Sequence, residues 1–207
     1  MSNYCILYIV RHAESVANFT NILGGDYPLT KLGESQANLL HDKLFKIPFA
    51  GIYSSDLVRS KRTAELLNLE RNLTITSTEV LRERDFGKLD GKLTSEIQSE
   101  LDSWSETISQ MDKNERFNFH DKNGIESDAS LIGRYFTFLR EVSLANIGKN
   151  ILIVSHSNVM RTLLVHLGYA TSLQLPRGSI ENTGYMKLRS DGIEFFVEET
   201  VGINKVV

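Results

Sequence analysis

The stretch YCILYIV, residues 4–10, is apolar on consecutive positions with no polar alternation, and ILIVS at 151–155 repeats the pattern far along the chain. A strand with apolar side chains on both sides has to be covered on both faces, which is the situation of a parallel sheet flanked by helices. Parallel neighbours need long crossover connections, usually helical. The intervening sequence supplies them. FAGIYSS (49–55) and LTITSTEVL (73–81) read as further strands, rich in β-branched and aromatic residues. Thr30 caps a helix over 31–46 in which Ala37, Leu40 and Leu44 recur on one face. Asp56 is placed to cap LVRSKRTAELLN. Ser127 or Asp128 is placed to cap a long helix carrying Leu131, Tyr135, Phe138 and Val142 and stopped near Gly148, and the helix after Val154 ends near Gly168.

Strands alternating with helices imply right-handed βαβ units. The C-terminal GYMKLRSDGIEFFVEE instead reads as two alternating strands around Asp191-Gly192, a hairpin at an edge or end of the sheet. The fold class is therefore α/β, a three-layer sandwich with a mostly parallel central sheet, helices on both faces, an inserted cap segment and a C-terminal hairpin. Residues 1–207 read as one domain. The segment 92–126 breaks the rhythm. Ile97, Leu101, Trp104, Ile108 and Met111 make one apolar helix face, and a polar stretch with Phe117 and Phe119 follows. It is either a lid over one sheet edge or a peripheral helix and loop that complete the core.

Composition narrows the chemistry. With 23 basic and 26 acidic residues the formal net charge is −3, so there is no general attraction to nucleic acid or to an anionic membrane, and an anion site has to be a local cluster. The single cysteine, Cys5, lies inside the first apolar run, which leaves no disulfide framework and no cysteine-based zinc site. A reducing, cytoplasmic location fits. The first apolar run is too short for a secretory core, lacks a preceding basic region and is closed by Arg11 and His12. No apolar stretch approaches the roughly 20 residues that cross a bilayer.

Five side chains share one place in this topology. Arg11 and His12 follow the first strand, Arg59 lies in the first turn of the helix after GIYSS, Glu83 follows STEVL, and His156 follows ILIVS. Parallel strands gather all of them at their carboxyl edge, where α/β sheets bind ligands. Two arginines, two histidines and a carboxylate suit a phosphoryl group, because guanidinium forks match phosphate oxygens and stay charged. Backbone N–H groups at the start of the helix after His156 can join the cradle. Each residue taken alone has a plainer reading. Arg59 with Lys61 and Arg62 could be a solvated basic face, and His156 a hydrogen-bonded histidine in a turn. A metal site at His12, His156 and Glu83 is disfavoured by the arginines, which repel a divalent cation. No metal and no cofactor is expected.

RHAESVAN, SSDLVRSKRTAELL, LRERDFGKLDG and VSHSNVMRTLL, in this order, resemble the histidine phosphatase superfamily, which includes cofactor-dependent phosphoglycerate mutases. The resemblance runs from about residue 4 to about residue 168. It implies that His12 is a nucleophile forming phosphohistidine, that Arg11, Arg59 and His156 bind phosphate, and that Glu83 protonates the leaving oxygen and then activates water. Flanking Arg82 and Arg84 would oppose the proton-donor role if they pointed the same way, but adjacent side chains of an extended segment face opposite sides. Asn18, Gly24 and Gly25 match positions that touch substrate, the glycines through backbone approach. Two departures stand out: Ala13 where glycine is frequent, and Ser157-Asn158 after the second histidine, where glycine is usual first, so that the approach of phosphate to that backbone differs.

The implied activity is a metal-independent phosphomonoesterase acting on a small-molecule phosphate ester, with no nucleic-acid or membrane partner. A phosphoglycerate-type mutase is the alternative. Asn158 and the LRERDF context lean toward it, whereas the short chain and the lack of a dense basic second anchor in 92–126 lean away. A noncatalytic phospho-ligand binding module is a third reading, which the presence of a proton donor argues against.

Overall fold

The two apolar runs lie side by side. In the computed structural model, which describes residues 3–206, β1 (Cys5–Arg11) is followed by the one-turn α1 (Val16–Phe19), α2 (Lys31–Leu44), β2 (Phe49–Ser55), α3 (Val58–Leu67) and β3 (Ile75–Thr78). Next come 3-10 turns at Glu79–Leu81 and Gly87–Leu89, α4 (Gln98–Ser109), α5 (Lys113–Phe117), α6 (Asp128–Ala145), β4 (Asn150–Ser155), α7 (Ser157–His166), and the hairpin β5 (Ile180–Ser190) and β6 (Phe195–Ile203). The sheet order is β3-β2-β4-β1-β5-β6. The first four strands are parallel, and β5 and β6 are antiparallel.

Successive side chains of β1 divide between two cores, which is why its sequence does not alternate. Cys5, Leu7 and Ile9 pack against Leu131, Tyr135 and Leu139 of α6 and Val159 and Leu163 of α7. Tyr8 and Val10 face Leu40 and Leu44 of α2 and Ala64 and Leu67 of α3. Full burial of each aliphatic side chain contributes about 1.5–3 kcal/mol before entropy is set against it. Ile6–Arg11 pair in register with Asn150–Ser155, so His12 and His156 leave the sheet side by side.

The expected caps hold at two helices and fail at one. Thr30 Oγ1 accepts from Gly33 N at 3.0 Å, and Ser127 Oγ from Ser130 N at 3.2 Å. Asp56 does not cap α3. It accepts two hydrogen bonds from Arg82 at 2.8 and 2.6 Å, and the helix N–H of Val58 donates instead to Asp26 Oδ1 at 2.8 Å, from a different loop. A two-pronged guanidinium contact outcompetes a single N–H donor for the same carboxylate. The run LTITSTEVL keeps only its centre as strand, because β3 is an edge with one neighbour and Glu79–Leu81 turns to bury Leu81.

In 92–126, Ile97, Leu101 and Trp104 join Leu23, Phe86, Leu89 and Ile125 in a separate small core. The polar stretch behind it is not all loop. Asp112 caps α5 by accepting from Asn114 N and Glu115 N, while Glu115 accepts from Asp112 N at 3.0 Å. The D-x-x-E spacing of DKNE was the signal for this capping box. Among the described residues no helix is long and apolar enough to cross a membrane.

Candidate active site

Arg11, His12, Asn18, Gly24, Arg59, Glu83, Ser157 and Asn158 line one cavity of about 160 Å³ at the carboxyl edge of the parallel strands. His12 N continues the ladder beyond β1 by donating to Ser155 O at 2.9 Å. The His12 ring is buried, with Nδ1 2.7 Å from the carbonyl oxygen of Ala13. Since a carbonyl only accepts, Nδ1 carries the proton and Nε2 keeps its lone pair. Burial, then the charges of Arg59 and Arg11, hold the His12 pKa well below the ordinary histidine value, which fixes the ring as neutral.

Arg59, buried in the first turn of α3, organises the site. Its Nε donates to His12 Nε2 at 3.1 Å, its Nη1 to the carbonyl of Gly25 at 2.5 Å, and its Nη2 lies 3.4 Å from His156 Nδ1. Gly25 therefore positions the arginine through its carbonyl and does not line the cavity itself. Gly24 does, at φ +67°, and a Cβ there would collide with the Asp90 carboxylate. Arg11, half-buried, donates from Nη1 to Ile180 O at 2.5 Å, and its buried Nε has no hydrogen-bond partner. Arg11 lines the cavity, so its guanidinium can offer a ligand oxygen a charge-assisted donor.

His156 is completely buried and stands behind Arg59, not on the cavity wall. With Arg59 Nη2 as donor toward Nδ1, Nε2 carries the proton and faces Ser60 Oγ at 3.3 Å. Burial, Arg59 and His12 keep its pKa well below the usual range.

Glu83 lies at the N-terminus of α7. Oε1 accepts from Val159 N at 3.2 Å and Arg84 N at 2.8 Å, and Oε2 accepts from Asn158 N at 3.1 Å and Asn158 Nδ2 at 3.3 Å. The helix N–H groups expected to face phosphate are thus shared with a carboxylate that caps the helix from another segment. Both neighbouring arginines turn away, Arg82 to Asp56 and Arg84 to Asp128 and Thr162. Arg134 staples the backbone that carries Glu83, donating to the carbonyls of Val80, Arg82 and Glu83 at 2.7, 2.8 and 3.2 Å.

Sequence reasoning missed Arg134 and two further supporting residues. Asn182, from the hairpin, donates to His12 O at 3.1 Å and to Asn18 Oδ1 at 3.2 Å, which turns Asn18 and α1 toward the nucleophile. Thr63, one turn after Arg59, accepts from Ala13 N at 3.1 Å and donates to Arg59 O at 2.7 Å. Only the i+4 spacing of Thr63 from Arg59 signalled it. Among the described residues no cluster of three or more His, Cys, Asp or Glu could hold a metal ion.

The family model of the histidine phosphatase superfamily (branch 1) matches residues 7–201. A 2,3-bisphosphoglycerate-dependent phosphoglycerate mutase 2 of Gloeobacter violaceus is 28% identical over 85% of this chain and 81% of its own. A probable phosphoglycerate mutase GpmB of Salmonella choleraesuis is 31% identical over 82% of this chain and 75% of its own. The crystal structure of a phosphoserine phosphatase from Entamoeba histolytica, in complex with 3-phosphoglyceric acid, superposes with a TM-score of 0.78 at 24% identity, over 95% of this chain and 96% of that one. At that identity the likeness is one of fold. Proteins named as mutases are thus among its sequence relatives, and a protein named as a phosphatase shares its fold.

Proposed function

The chain belongs to the histidine phosphatase superfamily, and from that premise we propose that it hydrolyses a small-molecule phosphate monoester through phosphohistidine, without metal or cofactor. The observation that carries this reading is the fixed tautomer of His12. Its Nδ1–H is committed to Ala13 O, and its Nε2 lone pair faces the same guanidinium that would hold the phosphate.

The Arg11 guanidinium and the Arg59 fork bind the equatorial oxygens, and as Arg59 turns onto the phosphate it releases Nε2 of His12 to attack phosphorus. His156 is the third phosphate binder. A bound dianion favours its protonated form, whose Nδ1–H becomes a donor once Arg59 Nη2 has moved. The N–P bond forms as the ester P–O bond breaks, with charge on the equatorial oxygens met by the guanidinium groups. Glu83, protonated at Oε2 in place of the 3.3 Å contact from Asn158 Nδ2, gives the departing oxygen that proton and then takes one from the water that cleaves the N–P bond, releasing phosphate and neutral His12. Asn18, Gly24, Ser157 and Asn158 line the space for the rest of the substrate.

Acid-labile phosphate should appear on the wild-type protein incubated with a chromogenic aryl phosphate and be absent from His12→Ala. Equal labelling of both proteins overturns the assignment. The mutase names of the sequence relatives favour a second reading, phosphoglycerate isomerisation. A mutase has to shield phosphohistidine from water until an acceptor returns. Fast conversion of 3- to 2-phosphoglycerate after priming with a bisphosphoglycerate, with little free phosphate, decides for that reading.

A further inference from the structure

Residues 82–86 belong to no helix or strand, so no regular ladder fixes the backbone that carries Glu83. Side chains at the start of α6 do so instead. The carbonyls of Val80, Arg82 and Glu83 accept from Arg134, and that of Leu81 accepts from Tyr135 Oη at 2.6 Å. Four consecutive carbonyls, ending at Glu83 itself, are thus taken by two adjacent residues of one helix. Glu126, just before α6, grips the chain on the other side of Glu83. Its backbone N–H donates to Asp85 O at 2.8 Å, and its Oε2 accepts from Asp85 N at 3.3 Å.

The two grips are one unit. Arg134 Nε and Nη2 donate to Glu126 Oε1 and Oε2, both at 2.8 Å, and Ser130 Oγ donates to Oε1 at 3.1 Å. Arg134 therefore makes five hydrogen bonds, as many as a guanidinium has N–H groups. It lines an open cavity of about 610 Å³ that meets the phosphate cavity at Gly24, Arg59 and Glu83, a place where an arginine could bind a ligand. With its fork spent on Glu126 and three carbonyls it keeps no N–H for that purpose. Tying α6 to the sheet does not require it either, because Leu131, Tyr135 and Leu139 already pack into the core against β1.

We propose that Arg134, with its fork held by Glu126, is a positioning residue for proton transfer: it fixes the backbone of Glu83 so that only the side chain moves between the departing oxygen and the attacking water. This inference rests on the proton-transfer role of Glu83. A proton donor displaced by about 1 Å loses on the order of 10²-fold in rate, so the backbone beneath it has to be rigid. Lysine cannot replace Arg134, since an ammonium has three donors and no planar fork to serve three carbonyls and two carboxylate oxygens at once.

The test is a double-mutant cycle with Glu83→Gln, read on glycerol phosphate and on nitrophenyl phosphate. Arg134→Lys should lower kcat for glycerol phosphate by about 10²-fold and for nitrophenyl phosphate by about tenfold or less. KM and competitive inhibition by inorganic phosphate should stay within about threefold, because Arg11, Arg59 and His156 keep their places. In the Glu83→Gln protein the same substitution should change the glycerol phosphate rate by less than about threefold, since no proton donor is left to position. Glu126→Gln, whose single acceptor oxygen cannot serve both Arg134 and Asp85, should show the same pattern at about tenfold and keeps the test valid if Arg134→Lys does not fold. An unchanged kcat, an effect that multiplies with that of Glu83→Gln, or a loss that falls on phosphate inhibition instead of kcat overturns the proposal and leaves the catalytic reading standing. If Glu83→Gln slows both esters alike, the donor role of Glu83 falls, and effects that still do not multiply retain Arg134 as the residue that holds Glu83, whereas multiplying effects remove it.

Discussion

Nε of Arg59 stands 3.1 Å from Nε2 of His12, so the residue that is to bind phosphate already holds the lone pair that is to attack it. The contact keeps the imidazole neutral and in one orientation. It also couples the two events, because an incoming phosphate oxygen competes with the lone pair for the same N–H.

Arg59→Met should therefore do two things. Loss of the principal phosphate donor should lower kcat/KM by about 10²–10³, the usual cost of deleting one preorganised donor at developing charge. Loss of a neighbouring cation should raise the His12 pKa and move the acid limb of the pH–rate profile to higher pH. Profiles of kcat/KM from pH 4 to 8 for both proteins check this. An unmoved limb would mean that Arg59 does not set the nucleophile's charge.

Stability should depend on pH in a defined direction. His12 and His156 have folded-state pKa values well below the unfolded value near 6.5, so between these values the unfolded chain binds protons that the folded chain does not. Stability should be level above about pH 6.5 and fall on acidification, at first by up to about 1.4 kcal/mol per pH unit for each histidine. Urea midpoints at pH 7.5, 6.0 and 5.0 measure it. His156→Asn should flatten the slope, and an unchanged slope would place the acid sensitivity elsewhere.

Glu83→Gln separates proton donation from support of the site. Aryl oxides leave with little protonation, so alkyl phosphates should slow about 10²-fold more than nitrophenyl phosphate. Phosphohistidine should then accumulate with the aryl substrate as a product burst. Uniform slowing without a burst would leave Glu83 as the cap of α7, where its oxygens already accept the N–H groups of Asn158 and Val159. Asp85 would be a poor substitute: it is exposed, accepts from Gly87 N at 2.7 Å and does not line the cavity.

Exhaustive chelation should leave turnover unchanged, because the proposed charge neutralisation comes from guanidinium groups. Loss of activity restored by a divalent ion would show that the arginines are not sufficient.

Strand assignments and the gathering of Arg11, His12, Arg59, Glu83 and His156 were legible in the sequence, since both follow from local pattern. Side chains on β1 and β4 alternate between two buried layers, so those runs had to be central and parallel, and residues just beyond them had to meet at one edge. Tertiary structure alone decided which groups complete the site. Asp26 displaced Asp56 as the cap of α3, Glu83 took the N-terminus of α7, Asn182 came from the hairpin to hold Asn18, and Arg134 came from α6 to hold the backbone of Glu83. Each of these contacts joins segments far apart in the chain, where several polar side chains compete for one donor or acceptor. Packing of the backbone settles that competition, and residue order does not encode it locally.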